Sequence, residues 1–101
     1  MKGYAVLRRG GWSDPDELRD AAARSQAEAE RMADDISWLR SYVVAEPDGS
    51  LGTVCIYEAS SPEAIRAHSE RADLPIDEIV GVVETLVVRR DREPAAAEAA
   101  T

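Results

Sequence analysis

The chain has 101 residues, which is enough for one domain. Acidic residues outnumber basic ones by 20 to 12 and the net charge is −8, which argues against binding nucleic acid or an anionic membrane surface. The single cysteine, Cys55, excludes an intramolecular disulfide. No apolar run approaches the ~20 residues that span a bilayer, and no signal-peptide pattern is present. We therefore predict a cytoplasmic protein.

The first third of the chain predicts one strand followed by one helix. Residues 3–8 form a short apolar run that ends at a glycine pair, which is typical of a strand. Asp14 then provides a helix N-cap, Pro15 suits the first helical position, and Glu17 completes a capping-box pattern. A run of good helix formers continues to about residue 33. Its predicted apolar face consists of residues at helical spacing: Leu18, Ala22, Ser25, Ala29 and Met32.

The middle of the chain predicts a hairpin and a second helix. Residues 36–46 and 51–59 are rich in β-branched and aromatic residues, which is typical of strands. Between them, residues 47–50 have turn composition. Ser61 followed by proline repeats the cap pattern and predicts a short helix, which ends near Leu74.

The remaining chain predicts a fourth strand over residues 78–89 and a mobile tail over residues 91–101, so that the domain comprises residues 1–90. The order β-α-β-β-α-β predicts an α+β ferredoxin-like sandwich. In this fold a four-stranded antiparallel sheet carries both helices on one face. The other face is left open to solvent, a ligand or a partner.

Alternation along the hairpin predicts which residues occupy this open face. With a four-residue turn, Glu46 pairs with Leu51 and Tyr42 lies opposite Cys55. An aliphatic set is then expected under the helices: Ala5, Leu7, Leu39, Val43, Val54, Ile56, Ile79, Val83 and Val87. An aromatic and polar set is expected on the open face, which we predict to be the ligand-binding or dimer face: Tyr4, Arg8, Trp38, Arg40, Tyr42, Cys55, Tyr57 and Glu84.

Two functions suit such an open face. Four of the five aromatic residues are predicted on it, and an exposed patch of this composition indicates an interface or a ligand site. As an interface, it would pack the sheets of two copies face to face in a homodimer. As a ligand site, it would be an aromatic pocket for a small organic molecule, with charge from Arg8, Arg40 and Glu84 and an ion pair between Arg8 and Glu84. An interaction module without a ligand is a third alternative.

Three segments carry a resemblance to a known family. Residues 35–43, 55–59 and 63–68 resemble the second strand, third strand and second helix of the small bacterial nickel-binding proteins of ferredoxin-like fold, formerly labelled a domain of unknown function. The similarity extends over residues 3–88. It implies a homodimer and a bound divalent metal such as nickel, and therefore a small metal-binding protein. The chain departs from the family at Asp73, where the family tends to have glycine.

Candidate metal ligands are scarce. His68 is the only histidine and Cys55 the only cysteine, whereas nickel and zinc sites usually combine several nitrogen or sulfur donors. Helical spacing places His68 on the sheet-facing side of the second helix, and the predicted register places Cys55 on the open face. We therefore expect that these two candidate ligands do not bind the same metal ion within one subunit. For each of them, a buried structural role is the favoured explanation.

A cofactor-independent enzyme of small-molecule metabolism is the alternative to a metal-binding protein. It would use Tyr42, Tyr57 or His68 as acid or base. The sequence contains no nucleophile elbow, phosphate-binding loop or dinucleotide fingerprint. This alternative therefore rests on analogy with other dimeric ferredoxin-like proteins.

Overall fold

The computed structural model describes residues 1–92, which form six elements in the predicted order. The strands are β1 (Lys2–Trp12), β2 (Ile36–Ala45), β3 (Leu51–Ala59) and β4 (Glu78–Val82). The helices are α1 (Pro15–Arg31) and α2 (Pro62–Arg71). The strands pair in the order β2-β3-β1-β4, and every neighbouring pair is antiparallel. This arrangement confirms the predicted ferredoxin-like α+β fold.

Both helices begin at the side-chain caps that the sequence predicts. The Asp14 carboxylate accepts a hydrogen bond from the Glu17 amide at 2.9 Å, and the Ser61 hydroxyl accepts one from the Ala64 amide at 3.2 Å. A proline follows each cap, at a position where its missing N–H removes no helical hydrogen bond. Caps of this kind contribute about 1 kcal/mol each, so the start of each helix is determined locally.

Helix α2 ends in a Schellman motif. The Leu74 amide donates to the Ser69 carbonyl at 2.8 Å, and the Asp73 amide donates to the Glu70 carbonyl at 3.2 Å. This closure places Asp73 at a φ of 56°. Glycine adopts such a left-handed conformation without a steric cost, whereas a residue with a Cβ atom does not.

The core lies between the sheet and the two helices. The even-numbered residues from Tyr4 to Arg8 in β1 and the odd-numbered residues from Thr53 to Ala59 in β3 are buried, so these positions face the helices. Ile79 of β4 packs against the same core, as predicted. The central cluster combines residues from three strands and α2: Tyr4, Val6, Ile36, Cys55, Tyr57, Ala59 and Ile65.

The predicted assignment of the two sheet faces is wrong for β1 and β3. Tyr4, Arg8, Cys55 and Tyr57 lie on the helix side, with exposed fractions of 0–9%. The open face instead carries aliphatic residues that were predicted for the core: Ala5, Leu7, Val54 and Ile56. The physical reason is volume. The buried residues of α1 are small, alanine and serine, so long side chains from the sheet occupy part of the space beneath this helix.

Strand β2 contains a bulge that breaks the simple alternation. One extra residue, Leu39, separates the pair Trp38–Tyr57 from the pair Arg40–Ile56. Trp38 therefore shares the helix side with Tyr57, whereas Arg40 shares the open side with Ile56. Trp38 and Arg40 are two residues apart and would share a face in a regular strand, but the bulge places them on opposite faces of the sheet.

The turn between β2 and β3 is one residue longer than predicted. Ala45 pairs with Leu51, so the turn comprises residues 46–50. Tyr42 consequently lies opposite Val54 and on the open face, and the predicted pairing of Tyr42 with Cys55 is wrong. A shift of one residue moves a side chain to the other face of a strand. The longer turn therefore changes the predicted pairing partners in β2, and the bulge places Trp38 on the helix side instead of the predicted open face.

Strand β4 ends at Val82, seven residues before the predicted end of the last strand. Residues 83–92, here called the arm, continue without regular secondary structure. The Asp91 carboxylate accepts hydrogen bonds from the Arg40 guanidinium at 2.9 Å and from the Tyr42 hydroxyl at 2.6 Å. Because β4 and β2 are opposite edges of the sheet, the arm crosses the open side.

The predicted boundary between domain and tail stays a prediction. Asp91, the first residue of the predicted tail, is the one that holds the arm to β2. Residues 93–101 lie outside the described residues. Val83 and Val87 were predicted for the core, but they are exposed in the arm, because the strand ends before them.

Candidate functional site

A cavity of about 280 Å³ lies on the helix side of the sheet, between α1 and the strands. Most of its wall is apolar and includes both tryptophans: Trp12, Leu18, Ala22, Trp38, Val43 and Leu74. The other lining residues are cationic or polar: Arg8, Arg19, Ser25, Ser41, Thr53, Cys55 and Tyr57. Within residues 1–92, no acidic side chain lines this cavity, although the chain carries 20 acidic residues.

Arg8 is the buried cation of the cavity, with 1% of its surface exposed. Its Nη1 donates to the Ser69 hydroxyl at 3.0 Å and to the Pro75 carbonyl at 2.7 Å. Its Nη2 donates to the Tyr57 hydroxyl at 3.1 Å. All three acceptors are neutral, and none of the ion pairs among residues 1–92 includes Arg8. A buried charge without an opposite charge is costly, because the protein does not replace the solvation that it loses.

Tyr57 connects Arg8 to the neighbouring helix α2. The ring of Tyr57 meets the ring of His68 edge to face, with centroids 5.6 Å apart. Burial raises the pKa of the Tyr57 phenol, as does the nearby Cys55, against the opposing effect of Arg8. The phenol therefore stays protonated at neutral pH. It can donate its own O–H while accepting from Arg8.

His68 is fully buried in α2 and faces the sheet, as helical spacing predicts. Its Nε2 lies 2.9 Å from the Ser25 carbonyl oxygen. A carbonyl can only accept, so Nε2 carries the proton and Nδ1 is the unprotonated nitrogen. Nδ1 is buried and has no hydrogen-bond partner within the described part of the chain. Burial lowers the pKa of His68, so the imidazole is neutral at pH 7.

Ser25 supplies a second unsatisfied polar atom. Its Oγ is buried and has no hydrogen-bond partner among residues 1–92, and the residue lines the cavity. Nearby, the Cys55 thiol donates to the Thr53 hydroxyl at 3.4 Å. The cavity is therefore bordered by hydroxyl groups that retain hydrogen-bonding capacity.

The structure divides the predicted site residues between two sides of the sheet. Four of them line the cavity on the helix side: Arg8, Trp38, Cys55 and Tyr57. Tyr4 belongs to the core on the same side. Arg40 and Tyr42 face the open side, near the arm that contains Glu84. The predicted ion pair between Arg8 and Glu84 is therefore wrong, because the sheet separates them. The participation of these residues in ligand binding stays a prediction.

Sequence reasoning names four of the thirteen lining residues as site residues and misses nine, among them Trp12 and Ser25. Trp12 follows an irregularity in β1, where Gly10 has a φ of 58° and the register with β3 shifts. This irregularity cannot be read from alternation. Ser25 did carry a usable signal, since it is a hydroxyl residue on an otherwise apolar helix face.

The described residues of this chain do not come together in a nickel site. Within residues 1–92, no group of three or more histidine, cysteine, aspartate or glutamate side chains is placed to hold a metal ion. His68 and Cys55 lie on the same side of the sheet, so the prediction that the sheet separates them is wrong. Both are buried, and His68 Nε2 is occupied by the Ser25 carbonyl.

Fold and site together define a class: a small ferredoxin-like protein with an open sheet face and a cavity under its first helix. The family model described as nickel responsive protein SCO4226-like matches residues 4–82. The chain therefore belongs to the SCO4226-like family of nickel-responsive proteins. This match confirms the resemblance seen in the sequence.

Two solved structures are similar to this chain, and the first of them supports the same fold. SCO4226 from Streptomyces coelicolor A3(2) is 24% identical, with a TM-score of 0.65, and the match covers 83% of this chain and 99% of that one. Rv0793 from Mycobacterium tuberculosis is 12% identical, with a TM-score of 0.39, over 88% of this chain and 100% of that one. A search among curated proteins found no match. No helix within residues 1–92 is long and apolar enough to cross a membrane.

Proposed function

We propose that the protein works as a cytoplasmic homodimer in a nickel-dependent process and binds nickel directly. Membership of the nickel-responsive family over residues 4–82 is the observation that carries this proposal. Because one subunit offers no cluster of ligands in residues 1–92, the proposed metal site draws on both subunits.

The open face of the sheet supports the dimer. Its centre is aliphatic and only partly covered, with Ala5, Leu7, Val54 and Ile56 side by side on β1 and β3. The arm adds four aliphatic side chains that are 73–100% exposed: Val83, Leu86, Val87 and Val88. Contiguous exposed apolar surface of this kind indicates an interface. A second copy fits it, because two such sheets can pack face to face.

Light scattering during gel filtration tests the dimer. The expected mass is about twice the 11.0 kDa of one chain. Val54→Glu places a charge at the centre of the open face and should yield monomers. Ala23→Glu adds the same charge on the exposed side of α1 and should leave the dimer intact. A monomeric parent protein at high concentration would contradict the dimer.

Calorimetric titration of nickel, with zinc and cobalt for comparison, tests the metal. Stoichiometric binding would support the proposal. The absence of both binding heat and a thermal shift would contradict its claim that the protein binds nickel directly. The variants His68→Ala and Cys55→Ser test the two candidate ligands. Since both side chains are buried on the helix side, a shared site on the open face predicts unchanged nickel affinity in both variants. Lost binding in either would assign that residue as a ligand.

A second candidate function is the binding of a small organic molecule. The observation that favours it is the apolar cavity on the helix side, with buried polar groups at its wall. Apolar cavities with a few convergent polar groups are the usual form of ligand sites. Both tryptophans line this cavity, so ligand entry should change intrinsic fluorescence.

A further inference from the structure

The helix-side cavity combines charge of one sign with unused hydrogen-bond donors. We infer that it binds a small organic anion, namely a monocarboxylate with an apolar body, and that Arg8 pairs with the carboxylate. This inference rests on the second candidate function, ligand binding in the cavity, and names the class of ligand. Three features of the site carry it: the charge balance, the free donors and the shape of the wall.

The charge balance of the cavity favours an anion. Its lining includes two arginines and, within residues 1–92, no acidic residue. Arg19, at the rim, already pairs with Asp16 at 3.2 Å. Arg8, inside, contacts only neutral acceptors. A ligand carboxylate would supply the missing opposite charge, and arginine–carboxylate contacts are among the stronger hydrogen bonds in proteins.

Several hydrogen-bond donors with unused capacity lie near the Arg8 guanidinium. A guanidinium has five N–H donors, and the hydrogen bonds of Arg8 within residues 1–92 use three of them. The Tyr57 phenol accepts from Arg8, and its own O–H can turn either to the neighbouring Ser25 hydroxyl or to a ligand. The Ser25 hydroxyl is 3% exposed, lines the cavity and has no partner in the described chain. A carboxylate is the complement of such a set, because an ionised carboxylate only accepts hydrogen bonds.

The remaining wall determines the body of the ligand. It is apolar and aromatic, with Trp12, Trp38 and Leu74 among its residues. A volume of about 280 Å³ is at the small end of the ~300–1,000 Å³ typical of ligand pockets. The site therefore suits a single ring or a short branched chain. A second charged group would lie against apolar side chains without a partner, so dicarboxylates are excluded.

The test compares an acid with its uncharged amide. We would titrate 3-phenylpropionate and 3-phenylpropionamide into the full-length protein and follow tryptophan fluorescence, since both tryptophans line the cavity. The acid is expected to bind about tenfold or more tightly than the amide. Equal affinity would overturn the anion inference and leave ligand binding in the cavity intact. Failure of both compounds to bind would overturn the inference together with the second candidate function.

Variants locate the carboxylate. Arg8→Met should bring the affinities of acid and amide to within about twofold of each other. Arg19→Gln removes a charge of the same sign at the rim and should preserve the preference for the acid. A preference that survives Arg8→Met would overturn the assignment of Arg8.

A further variant keeps the test decisive if Arg8→Met does not fold. Ser25→Ala removes a hydroxyl that has no hydrogen-bond partner of good geometry in the described chain, so the fold should lose little stability. It should weaken binding of the acid about fivefold, with little change for the amide. Unchanged affinity for the acid would overturn the placement of the carboxylate at Ser25.

Discussion

His68 couples the stability of this fold to pH. The chain has one histidine, and burial lowers its pKa below the ordinary value of 6.5, with the positive charge of Arg8 acting in the same direction. The Ser25 carbonyl and Glu28 oppose this effect in part. Well above pH 6.5 the imidazole is neutral in both folded and unfolded chains, so it contributes no pH dependence there. Below pH 6.5 the unfolded chain takes up a proton more readily than the folded one, and stability falls.

We therefore expect the free energy of unfolding to decrease from about pH 7 to about pH 5, by at most ~1.4 kcal/mol per pH unit from this group. Urea unfolding at intervals of pH measures the slope. His68→Gln removes the titrating group and should flatten the slope in this window, where carboxylates change little. If parent and variant show the same slope, the proton uptake belongs to other groups.

Asp73 pays a steric cost at the end of α2. Its φ of 56° is required by the Schellman closure, and the Cβ atom of any residue other than glycine disfavours it. Asp73→Gly should raise the free energy of unfolding by roughly 0.5 kcal/mol, since the relief of strain exceeds the added flexibility of the unfolded chain. Asp73→Ala keeps a Cβ atom but removes the carboxylate, and it should not stabilise. Equal stabilisation by both variants would point to charge as the cause.

At the scale of the elements, β1 and β3 approach closely beside the cavity. A Cβ atom on Gly52 would lie 2.7 Å from the Arg8 carbonyl oxygen and 3.2 Å from the Gly10 nitrogen. Both neighbours are backbone atoms and cannot rotate away. Substitution at Gly52 must therefore move the strand that carries Arg8.

Gly52→Ala should lower the free energy of unfolding by about 1–3 kcal/mol. It should also change tryptophan fluorescence, because Trp12 follows Arg8 in β1, the strand that must move. The matched control is Gly81→Ala in β4, where a Cβ atom would meet nothing within 4 Å. Thermal and urea unfolding compare the two variants. Equal stability of both would show that the strands can separate at little cost.

The elements themselves could be predicted from the sequence, but their faces could not. Caps at Asp14 and Ser61 are local signals, and the structure uses both. The faces depend on the bulge at Leu39 and on the length of the turn, neither of which has a local signature in this chain. The face of β1 depends on what packs against it. Small residues on α1 made room for Arg8 and Tyr57, and hydrophobicity alone would have placed Leu7 inside.

For the whole molecule, the net charge of −8 opposes association of two copies. The repulsion extends over about 30 Å at 0.01 M salt and about 8 Å at 0.15 M salt. We therefore expect the proposed dimer to tighten as salt is raised. Sedimentation equilibrium over this range measures the effect. Weakening with salt would indicate that ion pairs between subunits, rather than aliphatic contacts, hold the dimer.

The candidate site belongs to this largest scale, which is why the sequence analysis found only some of its residues. Arg8, Ser25, Trp38 and Tyr57 come from four different elements, and only the packing of α1 over the sheet brings them to one cavity. Prediction grouped Arg8, Trp38 and Tyr57 correctly, because strand alternation links them, but placed the group on the wrong side. Ser25 required knowledge of the helix that covers them.

The bulge in β2 also determines where this strand can change length. Loss of one residue from a strand normally moves every later side chain to the opposite face of the sheet. At Leu39 the opposite holds, because removing the extra residue leaves Trp38 facing the helices and Arg40 facing the open side. Insertions and deletions accumulated in β2 during divergence should therefore concentrate at this position, while the residues on either side keep their layer.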